Sequence, residues 1–167
     1  MQTTQNGIWS GILATGPMTL AMFLLQKKLP ETQKSPLPPA TLTSQITAKL
    51  GIDQRLSTYR REDLTMLAHF GYGAAAGILF AFIQKKIRGG SVPMGLAFGL
   101  GVWGTSYLGL TPLLKMRANA YDMPANRNTL MILAHLVWGL SLSTAEKNLR
   151  KSGNEMLDGH RKAVSAE

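Results

Sequence analysis

The stretch Leu64–Ile83, LTMLAHFGYGAAAGILFAFI, decides the class of this protein. It contains no Asp, Glu, Lys or Arg on any side of a helix, and Lys85 and Lys86 follow it closely. An α-helix rises about 1.5 Å per residue, so roughly 20 residues cross the hydrocarbon core of a bilayer. The stretch therefore predicts a transmembrane helix.

Three further apolar stretches lie before and after it, at residues 7–26, 92–113 and 129–145. They also lack Asp, Glu, Lys and Arg. We therefore predict an all-α, polytopic membrane protein, a bundle of four transmembrane helices in one membrane domain at residues 1–151. The remaining residues, 152–167, are polar and basic, and we expect them to form a flexible tail.

The first connection, residues 27–63, is long enough to carry structure of its own. Its segment SPLPP, residues 35–39, is expected to be incompatible with a helix and to adopt polyproline II. A short amphipathic helix is predicted at 41–50, because apolar residues recur there every four positions: Leu42, Ile46 and Leu50. This helix lies in the membrane interface in one interpretation and is a solvated linker in the other.

The chain carries a net charge of +9, and its basic residues lie mostly next to the ends of the apolar stretches. This placement suits anionic lipid headgroups, so we expect membrane lipids as partners and no nucleic acid. The shortest connection, Gln84 to Gly90, holds Lys85, Lys86 and Arg88 without an acid, which favours both termini on the cytoplasmic side. The basic residues of the first connection favour the opposite orientation. The absence of cysteine excludes disulfides and thiolate catalysis.

The second and fourth apolar stretches share a local pattern. Leu67-Ala68-His69 precedes Tyr72-Gly73, Leu133-Ala134-His135 precedes Trp138-Gly139, and an arginine lies at the same distance before each histidine, Arg61 and Arg127. We predict two helical hairpins of one design that start on the same side of the membrane, related by an axis along the membrane normal. A chance resemblance between two apolar helices is the alternative.

Small residues at four-residue steps indicate the faces through which transmembrane helices pack. Lipid gives no hydrophobic drive between helices, so close approach of the backbones has to stabilise the contact. The predicted packing positions are Gly7, Gly11, Thr15, Gly73, Gly77, Gly95, Gly99 and Gly139. We expect them to contact helices of the same bundle, with the helices of a partner as the alternative.

His69 and His135 are the only ionisable side chains within the apolar stretches apart from tyrosine phenols. An intramembrane ionisable group is a functional hypothesis, so the pair is the candidate functional or ligand site. In the simplest interpretation each neutral imidazole hydrogen-bonds a neighbouring helix. A proton relay and axial ligation of a haem iron are the alternatives. We therefore predict no cofactor, with haem as the alternative. No catalytic triad or metal-binding spacing occurs, so we predict no catalytic residues and no other metal site.

Three short motifs give the chain a resemblance to a known family. They are Pro36-Leu37-Pro38-Pro39 after the first stretch, Gly109-Leu110-Thr111-Pro112 closing the third, and His135-Leu136-Val137-Trp138 in the fourth. In their order and placement the chain resembles the YagU-type small bacterial inner-membrane proteins, multi-span helical proteins without an established activity. The resemblance covers most of the chain and implies a bacterial inner membrane. That family has acidic residues at two positions where this chain has none. Glu31 and Glu146 lie only near those positions.

Three functions from different classes fit this sequence. The favoured one is a non-catalytic accessory or scaffold subunit of the inner membrane, with other membrane subunits or a second copy as partner. The second is a small homo-oligomeric transporter or channel that uses His69 and His135. The third is a haem-binding redox subunit. An enzymatic activity stays open, and the sequence leans against one.

Overall fold

The computed structural model describes residues 2–34, 36–87, 92–116 and 119–164, with side chains as far as residue 153. All regular elements among these residues are helical, which confirms the predicted all-α class. The helices are α1 Gln2–Lys27, α2 Pro38–Lys49, α3 Thr58–Lys86, α4 Val92–Gly104, α5 Thr111–Leu113 and α6 Ala125–Val164. A π-helical segment, Thr105–Leu110, joins α4 to α5, and short 3-10 helices form at Glu31–Gln33 and Asp53–Arg55.

Three helices are long and apolar enough to cross a membrane: α1, α3 and the part Ala125–Gly153 of α6. They contain the predicted stretches 7–26, 64–83 and 129–145. The predicted stretch 92–113 does not form one such helix, so the count of four transmembrane helices is not confirmed. The reason is local, because α4 has only 13 residues and is followed by the π-helical segment.

Pro112 explains why the regular helix changes here. A proline has no N–H, so the carbonyl of Leu108, four residues earlier, loses its α-helical donor. The preceding turn widens instead, and the Thr111 N–H donates to the carbonyl of Ser106. The Tyr107 carbonyl accepts a hydrogen bond of 3.0 Å from the N–H of Ala120, in the next connection. The interruption of the α-helix before Pro112 is therefore stabilised by a hydrogen bond from the connection that follows it.

Helices α1 and α3 pack antiparallel through their glycines. A Cβ atom added at Gly11 would overlap the backbone of Gly73, and one added at Gly7 would lie 2.6 Å from the Cα of Ile78. Such close approach of two backbones requires residues without a Cβ. Thr15 continues the contact by one turn, because its Oγ1 occupies the space beside Gly73.

Helices α4 and α6 pack antiparallel in the same way. Gly95 and Gly139 face each other, Ser143 lies beside Gly95, and Gly99 faces the carbonyl of His135. The eight small residues singled out in the sequence all lie at these two interfaces. Each pair is a hairpin, and both hairpins start at the end of the bundle that holds the chain termini.

The two hairpins join through α1, which also packs along α6. Helices α3 and α4 do not pack backbone to backbone, and long side chains bridge them. The Phe80 and Phe98 rings lie 5.1 Å apart, centroid to centroid, and Phe98 lies 6.0 Å from Trp138. This aromatic cluster, Phe80, Phe98 and Trp138, forms the middle of the core together with Ala14, Met22, Met131 and Leu142.

The first connection differs in part from its prediction. The expectation that residues 35–39 exclude a helix is wrong for Pro38 and Pro39, which form the first turn of α2. Proline is tolerated there because the N–H it lacks would have no partner at a helix start. Leu37 before them is extended, with φ −60° and ψ 149°, as polyproline II requires. Ser35 lies outside the described residues.

The predicted tail is continuous with α6, because this helix runs to Val164. Residues 165–167 lie outside the described part of the chain, as does Arg88 of the predicted basic loop.

Candidate functional site

A cavity of about 250 Å³ lies between the helices, in the half of the bundle nearest to the two long connections. It occupies the space that α3 and α4 leave open. Both histidines singled out in the sequence line it, His69 from α3 and His135 from α6. Apolar residues form most of the wall, among them Met18, Ile46, Val102, Leu110, Leu114 and Met131.

His135 is buried, with 4% of its surface exposed. Its Nδ1 donates a hydrogen bond of 2.8 Å to the carbonyl of Met131, one turn earlier in the same helix. The Tyr107 ring packs edge-on against the imidazole at 5.8 Å. A carbonyl can only accept, so a neutral His135 ring carries its proton on Nδ1 and keeps a lone pair on Nε2.

His69 differs in its hydrogen bonding. Its Nε2 is buried and has no hydrogen-bond partner among the described residues. A buried polar atom without a partner is rare in folded proteins and points to a strained, functional or ligand-filled position. The two histidines thus line the same cavity, one with a lone-pair acceptor and the other with a buried ring nitrogen that lacks a partner among the described residues.

The π-helical segment forms the wall opposite α3. Ser106 and Tyr107 both line the cavity, and the Ser106 hydroxyl is hydrogen-bonded to the phenol of Tyr72 at 2.9 Å. This bond bridges the gap between α3 and the π-helical segment. A π-helical turn changes the direction in which side chains point, and such turns are frequent at functional sites.

The cavity is closed on the side of the chain termini. Trp138 donates a hydrogen bond of 3.3 Å from Nε1 to the Thr15 hydroxyl, which donates in turn to the carbonyl of Gly11 at 2.8 Å. Phe98 and Phe80 pack behind Trp138. The aromatic cluster thus lies between the cavity and the end of the bundle that holds the chain termini.

Helix α2 covers the other side of the cavity. Its residues Leu42 and Ile46, the apolar positions of the predicted amphipathic helix, line the cavity. Four residues at this rim are only half-buried, with 43% to 50% of their surface exposed: Ile46, Tyr72, Leu110 and Leu114. The cavity therefore has an apolar mouth beside α2.

The two repeated arginines hold the first connection in place. Arg127 is buried and donates to the carbonyls of Gln33 and Pro36, at 3.1 and 2.8 Å. Arg61 forms an ion pair of 3.0 Å with Asp53 and donates to its carbonyl at 2.8 Å. The sequence shows the repeated spacing of these arginines but not this role. The carbonyl partners of Arg127 lie 94 and 91 residues earlier in the chain, and the partner of Arg61 lies in a connection whose fold no local pattern predicts.

Glu146 is a buried acidic residue that sequence reasoning missed. From the sequence it is a flanking charge after the fourth stretch, but it lies inside the bundle with 3% of its surface exposed. Its Oε1 lies 3.4 Å from Nε of Arg150, and its Oε2 has no hydrogen-bond partner in the part of the chain that the structure describes. The helical spacing indicates this burial, because Glu146 lies one four-residue step after Leu142 and two after Trp138, on the face that these two residues bury.

No group of three or more His, Cys, Asp or Glu side chains that could hold a metal ion occurs within the described ranges. The two cavity histidines alone do not form a complete zinc site, which uses at least three protein ligands.

Comparison with known protein families gives one match, over residues 20–144, to a family described as "Protein of unknown function (DUF1440)". The match covers three of the apolar stretches almost completely, both cavity histidines and all three connections. No curated protein and no solved structure matches the chain. Since the family match spans well over half of the chain, this protein belongs to the DUF1440 family of proteins of unknown function.

Proposed function

We propose that this protein spans a bacterial inner membrane four times and binds a small, membrane-soluble molecule in the cavity lined by His69 and His135. One observation carries the proposal: two histidines far apart in sequence line one mostly apolar cavity. Binding sites for small molecules typically combine apolar walls with a few polar groups that fix the ligand. The unsatisfied Nε2 of His69 is such a group.

The fourth crossing in this proposal is the helical run from Val92 to Leu113, through α4, the π-helical segment and α5. Proline and π-turns occur in transmembrane helices where neighbouring groups satisfy the freed carbonyls. The bond between Ala120 and the Tyr107 carbonyl does so here. Residues 92–113 are also free of charged side chains, as a crossing of the hydrocarbon core requires.

The orientation that we propose places both termini in the cytoplasm. Lys85 and Lys86 lie at the same end of the bundle as the termini, and basic short connections favour the cytoplasmic side. The resemblance to the YagU-type proteins supports the inner membrane as the location of this protein. In this orientation α2 and the mouth of the cavity lie at the opposite membrane surface, close to the lipid headgroups.

Among the earlier alternatives, a transporter fits the cavity better than a channel. In this proposal the packed aromatic cluster is the barrier below the cavity, and the ligand enters beside α2. One-sided access is what a transporter shows in one of its states. A Cβ atom added at Gly101 of α4 would meet no atom within 4 Å, so this part of α4 leaves room for a second copy.

The scaffold and haem functions receive less support. The glycine stripes that favour a scaffold are engaged inside the chain, although other helix faces stay available to a partner. A porphyrin is larger than a cavity of about 250 Å³, so haem requires the helices to move apart. Copurification of other membrane subunits, or a Soret band in the purified protein, would favour one of these functions.

Filling the cavity tests the proposal. Val102 lines the cavity, and Val102→Phe should occupy it, whereas Leu100→Phe adds the same side chain on the exposed face of α4. We expect extracts of the purified wild type and of Leu100→Phe to contain the same small molecule by mass spectrometry, and Val102→Phe to lack it. Equal contents in all three proteins, or no enrichment over empty micelles, would contradict ligand binding in this cavity.

A further inference from the structure

We infer that the ligand of this cavity is a lipid-soluble alcohol or phenol whose hydroxyl group binds between the two histidines. The inference rests on the proposed function and adds the chemical class of the ligand. It follows from the hydrogen-bonding state of the two rings, from the apolar wall and from the position of the mouth.

The hydrogen bond of His135 determines what this ring can bind. Its Nδ1 proton is committed to the carbonyl of Met131 at 2.8 Å, so Nε2 of the neutral ring can only accept. A ligand that binds there has to bring a donor. Ketones, ethers and esters bring acceptors only, so they leave Nε2 of His135 unsatisfied.

His69 adds a second requirement that a hydroxyl also meets. Its Nε2 is buried without a partner, and both of its tautomers are open because no carbonyl holds the ring. With the proton on Nε2, His69 donates. A hydroxyl group can donate to His135 and accept from His69 at the same time, which an amine cation or a carboxylate cannot do with neutral imidazoles.

The wall of the cavity excludes a strongly polar ligand. Of the groups that surround the histidines, Met18, Val102 and Met131 are apolar, and Tyr107 offers the edge of its ring to His135. The two arginines of the repeat are also engaged elsewhere. Arg127 is bound to carbonyls of the first connection, and Arg61 is bound to a carboxylate there. A phosphate would therefore lose its hydration without a charged partner.

The mouth indicates where the rest of the ligand lies. Ile46, Leu110 and Leu114 line it and are 43% to 47% exposed, so the mouth continues the apolar surface of the bundle. A volume of about 250 Å³ is less than the 300–1,000 Å³ of typical drug-sized sites. The cavity thus takes a hydroxyl-bearing head, and a hydrocarbon tail extends through the mouth into lipid.

Three probes of nearly equal shape test this inference: 4-propylphenol, 4-propylanisole and propylbenzene. Only the first carries a hydroxyl donor. Dissociation constants are measured on the full-length protein in micelles by equilibrium dialysis against empty micelles. We expect the wild type to bind the phenol about tenfold more tightly than the anisole, the factor that one buried hydrogen bond provides.

The variants His135→Phe and His69→Phe keep a ring and remove its nitrogens. We expect His135→Phe to abolish the preference for the phenol while propylbenzene binds as before, and His69→Phe to reduce that preference. Leu133→Phe is the matched control, because it adds a phenyl ring on the exposed face of the same helix. If a histidine variant does not assemble, the preference of the wild type for the phenol over the anisole still decides whether the cavity recognises a hydroxyl group.

The outcomes separate this inference from the proposed function. If all three probes bind the wild type equally and Val102→Phe prevents their binding, the cavity binds ligands but the hydroxyl specificity is refuted. If no probe binds above empty micelles, the ligand class and this use of the cavity are both refuted. A phenol preference that survives His135→Phe would refute the role of His135.

Discussion

The substitution Gly77→Ala tests the glycine contact between α1 and α3 with a single added carbon. The new Cβ would overlap the carbonyl oxygen of Gly7 and lie 2.8 and 2.9 Å from Cα and N of Gly11. All these atoms belong to the backbone of α1, so no side chain can rotate away. Since ordinary carbon contacts are about 3.5–4.0 Å, the two helices have to separate by roughly 1 Å.

The expected loss of stability follows from this displacement. Overpacking in a well-packed interior costs about 1–3 kcal/mol. The control is Gly71→Ala, six residues earlier on α3, where an added Cβ meets no atom within 4 Å. Alanine in a helix is favoured over glycine by about 1 kcal/mol, so the control should be slightly more stable than the wild type. The two variants should therefore differ by about 2–4 kcal/mol in free energy of unfolding.

Unfolding of both variants in mild detergent, by titration with a denaturing detergent and circular dichroism, measures this difference. Thermal unfolding gives the same order. Equal stabilities of Gly77→Ala and Gly71→Ala would show that α1 and α3 do not touch at these glycines. The larger Gly77→Leu should prevent assembly of the bundle altogether.

Three further substitutions probe the interruption of the helix at Pro112, the hydrogen bonds that Arg127 makes to the first connection, and the buried carboxylate of Glu146. Pro112→Ala should restore a regular helix and turn Tyr107 away from the cavity; ligand binding should weaken while the melting temperature rises, and unchanged binding would contradict this. Arg127→Gln should lower the free energy of unfolding by about 2–4 kcal/mol and speed limited proteolysis between residues 28 and 57, because two charge-assisted bonds are lost. Glu146→Gln should raise the free energy of unfolding by about 1 kcal/mol, because a buried negative charge is replaced by a neutral amide; a clear loss would instead show that the ion pair with Arg150 outweighs the cost of burying the charge.

Much of the helix arrangement was accessible from local sequence patterns. Absence of charge over about 20 residues indicates the long helices, and glycine spacing indicates the packed faces, because both follow from the geometry of one helix. Residues 92–113 show the limit of this reasoning. Hydropathy reports only that the segment is apolar, whereas the π-helical turn depends on Pro112 and on the distant donor Ala120.

The candidate site was predictable only in its residue types. Two histidines in apolar surroundings draw attention from sequence alone, but the cavity depends on the spacing between α3 and α4, which no local pattern contains. Glu146 shows the same limit of sequence reasoning for a charged residue. A charge at the end of an apolar stretch predicts the membrane surface, and only the length of α6 and its contact with the other helices place this residue inside.

Two otherwise similar hairpins differ at the position that follows their glycines. In the first hairpin, Thr15 follows Gly11 by one helical turn, and its small side chain keeps α1 against α3 while it accepts from Trp138. In the second hairpin, Trp103 holds the matching position after Gly99. A tryptophan does not let two backbones approach as a small residue does, so it cannot continue the glycine contact of α4 and α6 as Thr15 continues that of α1 and α3. The close contact of the second hairpin therefore ends at Gly99, and the residues that follow on α4 and the π-helical segment, Val102, Ser106 and Tyr107, line the cavity.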